Sequence, residues 1–157
     1  MADVKFYTPL EERLNIASHA VGLVLSLLGL VLLLLRAIPY GNAWNTASVA
    51  IFGASLITLY AASTAYHSST MPDLRRRLRV VDHASIYVLI SGSYTPFMLI
   101  TLKGAIGWTL FAITWGMALT GITLKLFFTG RFNLLSTLMY VFMGWLIIFA
   151  VKPMIAA

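Results

Sequence analysis

Apolar residues run through this chain in long blocks, and polar ones gather at the breaks between them. The intervals free of Asp, Glu, Lys and Arg are Leu14–Leu35, Ala37–Pro72, His83–Leu102, Gly104–Leu124 and Phe132–Val151. About 20 apolar residues cross the hydrocarbon core of a bilayer as a helix, so four of these intervals hold one span each. The second interval is longer, and it opens with Pro39, Gly41, Asn42 and Asn45, a turn-forming cluster that leaves its remainder as a span. The pattern predicts five helices, at approximately 15–35, 46–67, 81–102, 105–125 and 133–151. Membrane strands are excluded because they show short alternating segments, whereas Leu23–Leu35 is nearly continuous Leu and Val. The expected fold class is all-α, a polytopic transmembrane bundle forming one domain over residues 1–157.

Composition agrees with lipid as the solvent. Of 157 residues, 60% are hydrophobic and 10% charged, against about 25% charged in soluble domains. The chain has no Cys, so a metal would be held by His, carboxylate or hydroxyl groups. The net charge of +6 sits between the apolar runs, where it sets orientation; nucleic-acid binding is not expected. Lys5, Arg13, Arg75, Arg76, Arg77, Arg79, Lys125 and Arg131 fall on one side, and Arg36, Lys103 and Lys152 on the other. The excess predicts a cytoplasmic N-terminus, with the segment Ser68–Val80 as a cytoplasmic loop. Asp3, Glu11 and Glu12 precede the first apolar run without a cleavage pattern, so that helix is read as retained.

Polar residues inside the spans define the candidate chemistry. Glu12, Asn15 and His19 share one face of the first helix. Ser63 and His67 share a face near the end of the second, and Asp82 opens a stripe on the third through Ser85, Leu89, Ser93 and Pro96. The topology brings all of them to the cytoplasmic level. They suit a catalytic metal site with an open water position, or else a satisfied interfacial network with Asp82 paired to Arg79 or another arginine of the 75–79 run. His83 points about 100° away from Asp82 and is the weakest member. Small residues at Gly22 and Ser26, Ala61 and Ala65, and Gly116 and Thr120 are read as helix packing sites. Pro96 is read as a kink or pocket position, and Trp44, Trp108, Trp115 and Trp145 as belt and packing residues.

The string Glu12-x-x-Asn15-x-x-x-His19-x-x-Gly22, then Ser63-x-x-Tyr66-His67, then Asp82-x-x-x-Ile86 with Gly92-Ser93-Tyr94-Thr95-Pro96, resembles the hemolysin III family of bacterial membrane proteins. That family is grouped with the progestin and adipoQ receptors and is similar to the alkaline ceramidases. The resemblance implies seven helices, a location in the bacterial inner membrane, and a zinc-dependent hydrolase acting on an amide or ester of a membrane lipid. It also implies His67 as a zinc ligand, Asp82 and Ser63 as catalytic groups beside the metal-bound water, and Glu12, Asn15 and His19 as cavity lining. The other two zinc ligands of that family are a His-x-x-x-His pair in helix seven, and no His follows His83 here. The expectation is therefore a truncated member that binds zinc weakly or not at all, or one whose polar face is completed by a second copy. The alternative reading is a non-enzymatic pore-forming cytolysin or a sensor of membrane state.

Overall fold

The computed structural model describes residues 6–102, 104–128 and 133–155; Lys5, Lys103 and Arg131, three of the cations in the orientation count, lie outside the described residues. The elements are α1 (Pro9–Tyr40), α2 (Ala43–Ser68), α3 (Pro72–Pro96), a π-helical continuation of α3 (Phe97–Leu102), α4 (Gly104–Phe127) and α5 (Asn133–Trp145). A 3₁₀ segment (Leu146–Ala150) and a short helix α6 (Val151–Ile155) extend α5. There is no strand among the described residues. Four helices are long and apolar enough to cross a membrane: Pro9–Tyr40, Ala43–Ser68, Pro72–Leu102 and Gly104–Phe127. The fifth apolar stretch, Leu134–Ala150, is shorter and leaves α-helical geometry after Trp145.

Three helices overrun the limits set by hydropathy, because charge marks where lipid ends and not where a helix ends. With 32 residues, α1 is about 48 Å long, well beyond a hydrocarbon core of about 30 Å. It starts at a capping box: Thr8 accepts from the Glu11 amide, and the Glu11 carboxylate accepts from the Thr8 amide at 2.8 Å. Pro39 lies inside α1 rather than in a turn. The turn narrows to Gly41 and Asn42, whose side chain caps α2 by accepting from the amides of Trp44 and Asn45. The segment expected as a cytoplasmic loop is largely helix as well. Pro72 opens α3, a position where its missing N–H costs nothing, so all four arginines belong to α3.

Each long helix packs on its sequence neighbour, α1 on α2, α2 on α3 and α3 on α4, while α5 lies against α3 and α4. Backbone approach is set by glycine: a Cβ at Gly22 would stand 2.5 Å from the Tyr60 ring, and one at Gly121 would strike the Tyr87 ring. Two of the three predicted packing pairs do not behave this way. Ala65, Gly116 and Thr120 are exposed, and a Cβ at Gly116 meets nothing within 4 Å, because helical spacing places small residues on one face without saying which face is covered. Tyr87, Ala118 and Met143 form the apolar core between α3, α4 and α5. Ser91 donates to the Thr114 carbonyl at 3.0 Å, and Trp115 Nε1 donates to Thr95 at 3.1 Å. Trp44, Trp108 and Trp145 are exposed, as belt residues should be.

Pro96 has no N–H to return to the Gly92 carbonyl. The helix then widens into π geometry and ends ahead of Gly104, whose φ of 59° is left-handed backbone that favours glycine.

Candidate functional site

The first turns of α1, the last turn of α2 and the first turns of α3 meet at one end of the bundle. Glu12 sits in the turn ahead of the uninterrupted apolar run of α1. One of its carboxylate oxygens accepts from His67 Nδ1 at 2.7 Å. The other accepts from the Tyr7 amide at 3.1 Å and from the Arg75 guanidinium. Asn15 Nδ2, one turn along, lies 3.4 Å from the same His67 nitrogen. A further turn along, His19 Nδ1 is hydrogen-bonded to Ser63 Oγ. The i, i+4 spacing of Ser63 and His67 thus brings both to α1, and the His19 and His67 rings stand 5.9 Å apart, edge to face.

In sequence Arg75 reads as an orientation charge and as one of several arginines that could pair with Asp82, yet it binds Glu12 and the end of α2. Its side chain is 1% exposed, against 16% for Glu12 and 10% for His67. One nitrogen pairs with Glu12. Another donates to the carbonyls of Tyr66, His67 and Ser69 at 3.1, 3.3 and 3.0 Å. Those carbonyls lie at the C-terminus of α2, where the intrahelical partners run out and the helix dipole is negative. The guanidinium carbon also lies 4.6 Å from the ring centroids of Phe6 and of Tyr66. A signal was available: Arg75 precedes Asp82 by seven residues, two helical turns, and so shares its face once α3 is extended back to Pro72.

Hydrogen bonds therefore pair Glu12 with His67 and His19 with Ser63, and Asn15 stands beside His67, so five of the six residues singled out in sequence gather at one place. Asp82 stands on the facing helix, half-buried. Tyr66 packs against His67 at 4.7 Å, and the Asp82 carboxylate makes no hydrogen bond or ion pair with the group among the described residues. His83 lines a separate small cleft with Ile86, Lys125, Thr137 and Tyr140. Among the described residues, no group of three His, Asp or Glu side chains is placed to hold a metal ion.

Chemically, the Glu12 carboxylate fixes the His67 ring. With Nδ1–H donating to Oε2, Nε2 keeps its lone pair as a base or a ligand, the arrangement that carboxylates impose on metal-binding histidines. Ser63 Oγ, 3% exposed, is held in place by His19 Nδ1.

Residues 7–157 match the family described as Haemolysin-III related. A "Hemolysin-3 homolog" of Bacillus subtilis (strain 168) is 49% identical over 151 residues, covering 96% of this chain and 71% of that protein. "Hemolysin-3" of Bacillus cereus is 45% identical over 144 residues, covering 92% of this chain and 66% of that protein. No solved structure matches. With four membrane-crossing helices, a polar site at one end, and a family match over nearly its whole length, the chain belongs to the Haemolysin-III related family of multi-pass membrane proteins.

Proposed function

We propose that this chain hydrolyses an amide or ester of a membrane lipid at the polar end of its helix bundle, in the bacterial inner membrane with the N-terminus cytoplasmic. The observation that carries the reading is the coupling of two hydrogen-bonded pairs, His67 with Glu12 and His19 with Ser63, in a largely water-excluded position. Buried polar groups in a membrane protein are costly and belong to function by default. With His19 Nδ1–H donating to Ser63, the Ser63 hydroxyl proton is left to point at an acyl oxygen and stabilise the oxyanion. A water attacks the acyl carbon, and Asp82 takes the proton the water loses. That proton passes to the departing amine or alkoxide, leaving a carboxylic acid and the free amine or alcohol.

Zinc, which the resemblance implies, meets one prepared donor here, the Nε2 of His67. A zinc site usually needs four protein ligands, or three with a water, and the other donors of such a shell are not assembled around His67 by the described residues. That donor set does not fit zinc, and the steps above run through protein groups alone.

The test is turnover of a fluorescent long-chain amide and a long-chain ester by the purified chain in liposomes. Ser63→Ala and Asp82→Asn should each lower the rate by about 100-fold or more. Unchanged turnover in both would dispose of the hydrolytic reading. The names of the Bacillus relatives support a second reading, a membrane-permeabilising protein. The outward face of α1 is Leu25, Leu28, Leu32 and Leu35 and offers no hydrophilic lining, so a pore would require several copies; dye release from the same liposomes separates the two.

A further inference from the structure

At the end of the bundle away from His67, the turn between α1 and α2 meets the end of α3 and the start of α4, and a pocket lies between them. Asn42, Trp44 and Asn45 at the head of α2, Leu99 and Ile100 of the π continuation of α3, and Trp108 of α4 line a space of about 460 Å³. Small-molecule sites occupy roughly 300–1,000 Å³. The π segment that forms one wall follows directly on Pro96, and such departures from α geometry recur at functional sites.

Each wall offers a different chemistry. Trp44 and Trp108 meet edge to face, 5.3 Å apart and at 82°, and form an aromatic corner. The side-chain oxygens of Asn42 and Asn45 are taken up in the cap of α2, where they accept from backbone amides. Both side-chain NH2 groups are thereby turned away from the cap as donors. Leu99 and Ile100 stand at the carbonyl end of the π segment, where intrahelical partners run out and the dipole is negative. Ser48 follows Asn45 by three positions and Trp44 by four, on the same face of α2. It is wholly buried, and its Oγ has no hydrogen-bond partner among the described residues, a costly state for a hydroxyl.

Charge narrows the choice of ligand. No ionised side chain lines the pocket among the described residues, and the carbonyl end of a helix repels an anion. The sequence puts Arg36 and Lys103 at this end and no Asp or Glu, which disfavours a cation. What fits is a neutral group with several hydroxyls, each able to donate to a carbonyl and to accept from an amide, and with a C–H face to lie on an indole. We propose that this pocket binds a sugar ring, stacked in the Trp44–Trp108 corner and held by the Asn42 and Asn45 amides. Its deepest hydroxyl gives Ser48 a partner, directly or through one water. The headgroup of a glycolipid and a free sugar present the same chemistry. The assignment is independent of the hydrolytic reading, since the pocket and the group around His67 stand at opposite ends of the bundle.

The full chain in a sugar-free neutral detergent is titrated with octyl glucoside, octanol and octyltrimethylammonium, and binding is followed by thermophoresis. Octyl glucoside should bind saturably and the other two should not. Free glucose that competes supports the assignment with a soluble sugar as ligand; glucose that fails to compete supports it with a glycolipid headgroup. Trp108→Leu should weaken octyl glucoside binding about tenfold through loss of the stacking face. Trp145→Leu, which removes an exposed indole outside the pocket, should change it by less than about twofold. Asn42→Asp keeps a good cap for α2 but loses the NH2 donor, and should weaken binding about fivefold. Equal binding of octanol, tighter binding of octyltrimethylammonium, or equal weakening by Trp108→Leu and Trp145→Leu would overturn the assignment. Should Trp108→Leu fail to fold, Asn42→Asp takes its place, and wild-type binding by that variant would overturn the assignment as well.

Discussion

Arg75 reaches back 63 positions to the carboxylate of Glu12 while its other nitrogen closes the carbonyl end of α2. One side chain thereby ties three helices together at the point where His67 is oriented. Neither partner is dispensable, because each would leave the other's charge buried.

Arg75→Ala should accordingly destabilise the protein by about 3–5 kcal/mol, the usual effect of breaking a buried pair from one side. Arg75→Lys should recover little, since one ammonium cannot serve a carboxylate and three carbonyls as a planar fork does. Thermal unfolding in detergent reads both. A Lys variant with wild-type stability would show that charge alone suffices.

The sequence displays the helices and most of the site for one physical reason: both depend on periodicity within a single helix. Glu12, Asn15 and His19 share a face whatever the tertiary fold, as do Ser63 and His67. Arg75 is different. In the run Arg75, Arg76, Arg77 and Arg79 the spacing to Asp82 puts Arg75 on the inward face once α3 is extended back to Pro72, but its partners on α1 and α2 appear only when those helices are packed beside it. The same limit explains Gly22 and Gly116, which look alike in sequence while only Gly22 faces a neighbour.

That contrast is measurable. Gly121→Ala drives a methyl into the Tyr87 ring and should cost about 1–3 kcal/mol. Gly116→Ala enters open space and should stabilise by about 0.5–1 kcal/mol through helix propensity. Comparable losses in both variants would mean that a further helix covers the Gly116 face.

Pair energetics can be apportioned by a double-mutant cycle on Ser63→Ala and His19→Gln. Because the two side chains are bonded to each other, their effects on turnover should be strongly non-additive, with the double variant close to either single one. Additive effects would separate the two residues functionally.

Orientation is tested by labelling, aided by the absence of native cysteines. Arg76→Cys at the α3 end should resist an impermeant thiol reagent in intact cells, and Tyr40→Cys at the far end of α1 should react. The reverse pattern would place the N-terminus outside.

Metal analysis of the purified chain should find zinc far below one equivalent. A near-stoichiometric content lost on His67→Ala would mean that donors from another copy complete a shell.

The packing of α1 on α2 has a consequence for biosynthesis. Domains fold from the N-terminus as they are made, and the first two helices form a hairpin that already contains Glu12, Asn15, His19, Ser63 and His67. At that stage the Glu12 carboxylate and the end of α2 have no guanidinium. Arrival of α3 supplies it, so the polar end of the protein matures when its third crossing is inserted, and the hairpin of α1 and α2 alone would hold five of the candidate residues without the residue that locks them.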